Sequence, residues 1–197
     1  MAGQINLLGM EDAGASFVPS PATGRRKAAS YQLFFAICFD RQQASALGDF
    51  ASSLCREHGS AGAAPMHPDR LHITLRTIAA FSGGLPMAVI DAARSAADAV
   101  RMRTFEVTFD QLACYPASDA CMLLCKARGA ESIDLLLKRR GVRSRASAPH
   151  MTAHYDAQRG DVVRDIDPIA CQVTGFKLLI SHRGATVHET VGAWSLS

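Results

Sequence analysis

Apolar and polar positions along this chain alternate in two rhythms, one helical and one of period two. Residues 31–39 are almost continuously apolar and rich in β-forming side chains, as expected of a buried strand. Asp40 can cap a following helix. Over Arg41–His58, Ala44, Leu47, Phe50, Ala51 and Leu54 fall on one helical face. Residues 59–69 carry Gly and Pro breakers and read as a loop. Residues 70–78 return to a strand, and Ser82, Gly83 and Gly84 make a turn. Leu85, Val89, Ala92, Ala93, Ala96 and Val100 predict a second helix ending near Arg101. Phe105, Val107 and Phe109 alternate with Glu106, Thr108 and Asp110, the pattern of a half-buried strand. Residues 121–126 are its expected hairpin partner, across a turn at 116–119. Residues 132–140 read as a helix with Ile133, Leu136 and Leu137 inward and Gly141 as its cap. A strand is expected at 150–155, then a closing hairpin of 173–180 with 186–194 around Arg183 and Gly184. Helices among mostly antiparallel strands give an α+β fold.

Composition narrows the class. With 197 residues, 48% hydrophobic and 20% charged, the chain can bury a full core and reads as soluble and globular. Residues 1–29 are rich in Gly, Ala, Ser and Pro without steady periodicity and read as a disordered leader before a domain at 30–197. Arg25, Arg26 and Lys27 read there as a solvated basic tail. The longest apolar run, 33–39, is far too short to span a bilayer, and no signal peptide is evident, so a cytoplasmic protein without a membrane partner is expected. The six cysteines form no Cys-x-x-Cys pair and sit mostly in apolar segments, which predicts buried free thiols and no structural zinc. A net charge of +3 permits a polyanionic partner without demanding one. No Gly-rich phosphate loop or dinucleotide fingerprint is present, and no cofactor is expected.

The candidate chemistry lies in two short echoes. Leu71-His72-Ile73-Thr74-Leu75 is matched by Pro149-His150-Met151-Thr152-Ala153. In a strand, residues i and i+2 share a face at roughly 6.5 Å spacing. His72 and Thr74 therefore point one way, and His150 and Thr152 do the same in the second copy. One such tripeptide among seven histidines reads as a half-exposed strand histidine. Two copies in similar apolar frames suggest one imidazole and one hydroxyl from each half, aimed at a common cleft. That set suits in-line displacement at phosphorus, with one histidine taking a proton and the other giving one. The threonine hydroxyls can donate to non-bridging phosphate oxygens as charge builds there. There is no carboxylate cluster to hold a metal.

The twin motif resembles that of the two-histidine phosphoesterase superfamily, and within it the 2′-5′ RNA ligase family, also called RNA 2′,3′-cyclic phosphodiesterases. Tyr31-Gln-Leu-Phe-Phe-Ala-Ile resembles that family's opening strand, and Arg70-Leu-His-Ile-Thr-Leu the approach to its first motif. The ending from Ser181 to Trp194 resembles its closing hairpin. The resemblance implies a bilobal fold of two mostly antiparallel sheets with flanking helices around a cleft. It implies a metal-independent enzyme that opens RNA or nucleotide 2′,3′-cyclic phosphate ends to 2′-phosphates, with 2′-5′ ligase activity beside it. It carries over to His72, Thr74, His150 and Thr152, with His72 taken as general acid and His150 as general base.

Strand alternation adds substrate-binding candidates. Arg76 lies two past Thr74, and His154 two past Thr152. Tyr155 stands where many family members place an arginine, and its odd-numbered face suits the core. The missing arginine weakens the phosphate grip unless Arg76 or a loop residue compensates. Lys138, Arg139, Arg140, Arg143 and Arg145 run into the second motif. The first three suit a helix C-terminus; Arg143 and Arg145 fit an RNA backbone better. His150 and His154 have metal spacing only on a helix, which the flanking pattern denies. His182 and His188 flank the last turn without an obvious partner. The partners expected are RNA ends or cyclic nucleotides, bound to a monomer. The alternative is a non-catalytic module that holds phosphorylated RNA ends or nucleotides in the same cleft.

Overall fold

A computed structural model describes residues 31–84, 86–115, 119–125, 132, 149–155, 162–182 and 188–197. The leader at 1–29, nearly all of the expected helix at 132–140, and the basic residues Lys138, Arg139, Arg140, Arg143 and Arg145 lie outside them. The strands are β1 (Tyr31–Cys38), β2 (His72–Phe81), β3 (Phe105–Tyr115), β4 (Ala120–Leu124), β5 (His150–Tyr155), β6 (Val162–Val173), β7 (Gly175–His182) and β8 (Glu189–Ser195). The helices are α1 (Arg41–His58), between β1 and β2, and α2 (Met87–Asp98), between β2 and β3.

Helix α1 begins where the sequence places it because Asp40 forms a full capping box. Its carboxylate accepts from the Gln43 backbone at 2.8 Å, and the Gln43 side chain accepts from the Asp40 backbone at 3.3 Å. Ala44, Leu47, Ala51 and Leu54 are buried as the periodicity predicts. Helix α2 is turned by about one residue from its expected stripe. Ile90, Ala93 and Ala97 are buried, while Ala92 is exposed. Burying the large Ile90 outweighs burying a second alanine, so the helix rotates to place it inward.

The eight strands among the described residues join one sheet in the order β6-β3-β4-β5-β2-β1-β7-β8, and each neighbouring pair is antiparallel. The α+β class holds, whereas the two expected sheets are continuous. Two four-stranded wings, β6-β3-β4-β5 and β2-β1-β7-β8, meet at one register pair, Ile73↔Met151. Both side chains are fully buried and belong to one core cluster that spans the two wings. Leu33, Phe35, Ile37 and Ile180 enter that cluster from one wing and Val107, Phe109 and Leu123 from the other. Helices α1 and α2 contribute Leu47, Leu54, Ile90 and Ala97 to the same cluster, so they cover this face of the sheet. Phe34, Ala36 and Leu179 point to the other face and form a small cluster of their own.

Strand β6 is absent from the pattern read along the sequence. It is an edge strand with Arg164, Asp165, Asp167 and Pro168 exposed, so little of it carries an apolar rhythm. The thiol expectation also needs correction. Cys114 and Cys121 are partners on β3 and β4 and are joined as a disulfide. The other four, Cys38, Cys55, Cys125 and Cys171, are not in disulfides. The hairpin brings two buried cysteines into register that the linear spacing does not mark as a pair. Among the described residues no helix is long and apolar enough to cross a membrane.

Candidate active site

The pair Ile73↔Met151 joins the middle residues of the two His-x-Thr motifs. Because the strands are antiparallel, His72 lies opposite Thr152 and Thr74 opposite His150. The two histidines are then diagonal neighbours on the order of 7–8 Å apart, with Cβ atoms somewhat closer, a separation that a phosphate between the rings can bridge. All four side chains line one cavity of about 260 Å³ on the face away from the helices. Burying the apolar middle residues on the core face is what turns the polar flanks to the open face.

Each motif strand carries a bulge just past its threonine. On β2, Thr74 pairs with Ala36 but Arg76 pairs with Phe35, so Leu75 is the extra residue. On β5, Thr152 pairs with Met122 but His154 pairs with Cys121, so Ala153 is the extra residue. A bulge of one residue reverses which side chains face the cavity. Arg76 turns to the side of Phe35 and does not line the cavity; Thr77, paired with Phe34, takes its place. His154 turns inward and is fully buried, with Nδ1 2.9 Å from the Tyr155 carbonyl. Tyr155, expected in the core, instead lines the cavity and is 51% exposed. The cavity positions therefore run 72, 74, 77 on one strand and 150, 152, 155 on the other.

His72 is held from several sides. Its Nδ1 lies 2.5 Å from the Arg70 carbonyl, which only accepts, so Nδ1–H donates and Nε2 carries the lone pair in the neutral ring. The ring packs against Phe34 at 5.2 Å and against His188 at 5.2 Å, and His188 packs against Phe34 at 5.3 Å. Burial lowers the His72 pKa, with smaller contributions in the same direction from Arg70 and His150, against the Arg70 carbonyl hydrogen bond that raises it. Burial also lowers the His188 pKa, to about 4, helped by His72 and Arg70.

Arg70 itself lines the cavity, and its Nε is buried without a hydrogen-bond partner. Arg70, at the end of the short 3-10 turn Pro68–Arg70, thus brings to the cavity the guanidinium that Arg76 does not. Its signal was parity, since it lies two residues before His72. His188 had no comparable signal, because β8 reaches the cavity only through pairing with β7 and β7 with β1. Gln32 donates to Thr77 Oγ1 at 3.2 Å at the cavity edge. Among the described residues no group of three or more His, Cys, Asp or Glu is gathered as a metal site would require.

Residues 39–120 match the family model described as LigT like Phosphoesterase, a segment that includes the first motif but not the second. Among solved structures, the chain is similar to E. coli LigT in its apo form at 24% identity and a TM-score of 0.64, covering 86% of this chain and 99% of that one. E. coli LigT complexed with 3′-AMP aligns at 24% identity and a TM-score of 0.63, over 84% of this chain and 98% of that one. A Thermus thermophilus protein, TT0787, aligns at 17% identity and a TM-score of 0.59, over 83% and 97%. No curated protein matches the sequence. Residues 39–120 thus match the LigT-like phosphoesterase family model, and the described residues carry the fold of E. coli LigT.

Proposed function

We propose that the chain is a metal-independent phosphodiesterase that opens 2′,3′-cyclic phosphate ends of RNA or nucleotides to 2′-phosphates. The observation that carries this reading is the Ile73↔Met151 pair, which sets two His-x-Thr motifs against each other around one cavity. Water attacks phosphorus and the bond to O3′ breaks. One imidazole takes the proton from water, and the other gives a proton to O3′ on the opposite side. His72 suits the base role better than the acid role expected from the sequence. Its Nδ1–H is committed to the Arg70 carbonyl, and its lowered pKa keeps Nε2 free to accept near pH 7. His150 then serves as the acid. Arg70, Thr74 and Thr152 face the non-bridging oxygens, where negative charge builds. A 5′-hydroxyl in place of water would make a 2′-5′ linkage by the same displacement.

E. coli LigT, which shares this fold, has been solved with 3′-AMP, ATP and NADP+, so nucleotides are reasonable occupants of this cavity. The test is incubation with an oligonucleotide ending in a 2′,3′-cyclic phosphate, in EDTA, with the product phosphate located. A 2′-phosphate product is expected. Tight binding without turnover would instead support the non-catalytic module, and a 3′-phosphate product would contradict the assigned leaving oxygen.

A further inference from the structure

A second cavity, of about 730 Å³, adjoins the first, and His188 lines both. One imidazole thus forms the wall between them. Lys177, from β7, and Arg41, at the start of α1, bring two positive charges to this second cavity against the one carboxylate of Asp69. Neither cation has an ion-pair partner among the described residues, while Asp69 lies 3.7 Å from His67. Phe39 and Leu179 give the same cavity an apolar side. Both ring nitrogens of His188 are buried and lack a hydrogen-bond partner, an unfavourable state that a ligand can relieve.

We propose that the second cavity receives the part of the substrate that carries a second phosphate group. In this arrangement Lys177 and Arg41 face that phosphate, and His188 hydrogen-bonds the sugar that links it to the reacting end. The inference rests on the proposed activity at the first cavity. There the single charge of a cyclic phosphate is met by Arg70, so Lys177 and Arg41 stay unmatched until another phosphate arrives. The low pKa of His188 keeps its ring neutral near pH 7, with one nitrogen donating and one accepting. That matches a hydroxyl, which does both, better than a phosphate oxygen, which only accepts. The second phosphate can be the phosphodiester of an RNA end or the pyrophosphate of an ADP-ribose cyclic phosphate.

Three substrates separate these cases: adenosine 2′,3′-cyclic phosphate, a diribonucleotide ending in a 2′,3′-cyclic phosphate, and an ADP-ribose cyclic phosphate. The double variant Lys177→Ala with Arg41→Ala should lower kcat/KM about tenfold or more, through KM, on a two-phosphate substrate, the scale of a charged hydrogen bond. The cyclic mononucleotide should stay within about twofold of the wild-type value. Loss on the diribonucleotide alone identifies the RNA end as the ligand, and loss on the ADP-ribose compound alone identifies the pyrophosphate. Equal behaviour of all three substrates, whether unchanged or equally impaired, overturns the proposal. Calorimetric binding of the diribonucleotide 2′-phosphate in EDTA reads the second cavity without turnover. Weaker binding by the double variant keeps the subsite even if the wild type opens no cyclic phosphate, and unchanged binding of both this product and the ring-opened ADP-ribose compound overturns it.

Discussion

The two motif strands share a backbone plan and differ in what surrounds it. Both present His, skip one, present Thr, then bulge, and both bury the residue between. Around β2 the imidazole is boxed in by Phe34 and His188, with its Nδ1 tied to the Arg70 carbonyl. Past its bulge the cavity position is the small hydroxyl of Thr77. Around β5 the corresponding position is the phenol of Tyr155, half exposed, and the residue turned inward is His154. The loop bonds Met66 N–H to the Ala153 carbonyl at 2.8 Å and pairs Pro65 with His154, holding the β5 bulge from the side. In the proposed mechanism the repeated plan supplies two proton carriers, and the buried, aromatic-walled setting of His72 suits it to the base role.

The sharpest break of this comparison is removal of either imidazole. His72→Ala and His150→Ala should each lower turnover by about a hundredfold or more, the usual scale of acid–base catalysis, read from kcat on a cyclic mononucleotide. A folded variant that keeps full turnover would leave the strands equivalent in form only. Next is the proposed phosphate grip, whose guanidinium among the described residues lining the cavity, Arg70, comes from the β2 side. Arg70→Ala should cost about tenfold or more in kcat/KM, and Tyr155→Phe should change it by less than about threefold. The reverse ranking would place the grip on β5. The threonines should be closer to each other: Thr74→Ala and Thr152→Ala should each lower kcat by about tenfold, one hydrogen bond to a developing charge.

A smaller effect concerns pH. If His72 is the base, activity is lost as pH falls through its pKa in the folded protein, which burial holds below 6.5. The acidic limb of the pH–rate profile should lie below that value, and its two apparent pKa values belong to the coupled pair. His188→Ala opens the His72 ring to water and relieves its desolvation, while Arg70 and His150 still oppose protonation. The acidic limb should then move up by less than about a unit. An acidic limb above 6.5 in the wild type would return His72 to the acid role.

Helix α1 was legible because every local cue agreed, from the Asp40 and Gln43 box to the stripe at Leu47, Ala51 and Leu54. The motif strands were legible for the same reason, as alternation and apolar frame coincide at Ile73 and Met151. What was hidden depends on partners distant in sequence. A strand read alone cannot show that Leu75 or Ala153 is an extra residue, because that is defined only by pairing with β1 or β4. Strict alternation therefore placed Arg76 and His154 in the site and Tyr155 in the core. Strand β6 escaped because an edge strand needs few apolar residues, and His188 because its neighbours His72 and Phe34 lie more than a hundred residues away. Arg143 and Arg145 lie outside the described residues, so their RNA contact stays an expectation of the sequence.

The most direct test of the account is a double-mutant cycle across the Ile73↔Met151 pair. Turnover of a cyclic mononucleotide in EDTA is measured for the wild type, His72→Ala, His150→Ala and the double variant, with folding checked in each. If the two imidazoles act as one acid–base unit, the double variant should lose much less than the product of the two single losses, since either removal already disables the relay. Losses that multiply, or a single variant that retains full turnover, would show that the histidines act independently and would contradict the two-histidine mechanism for this chain.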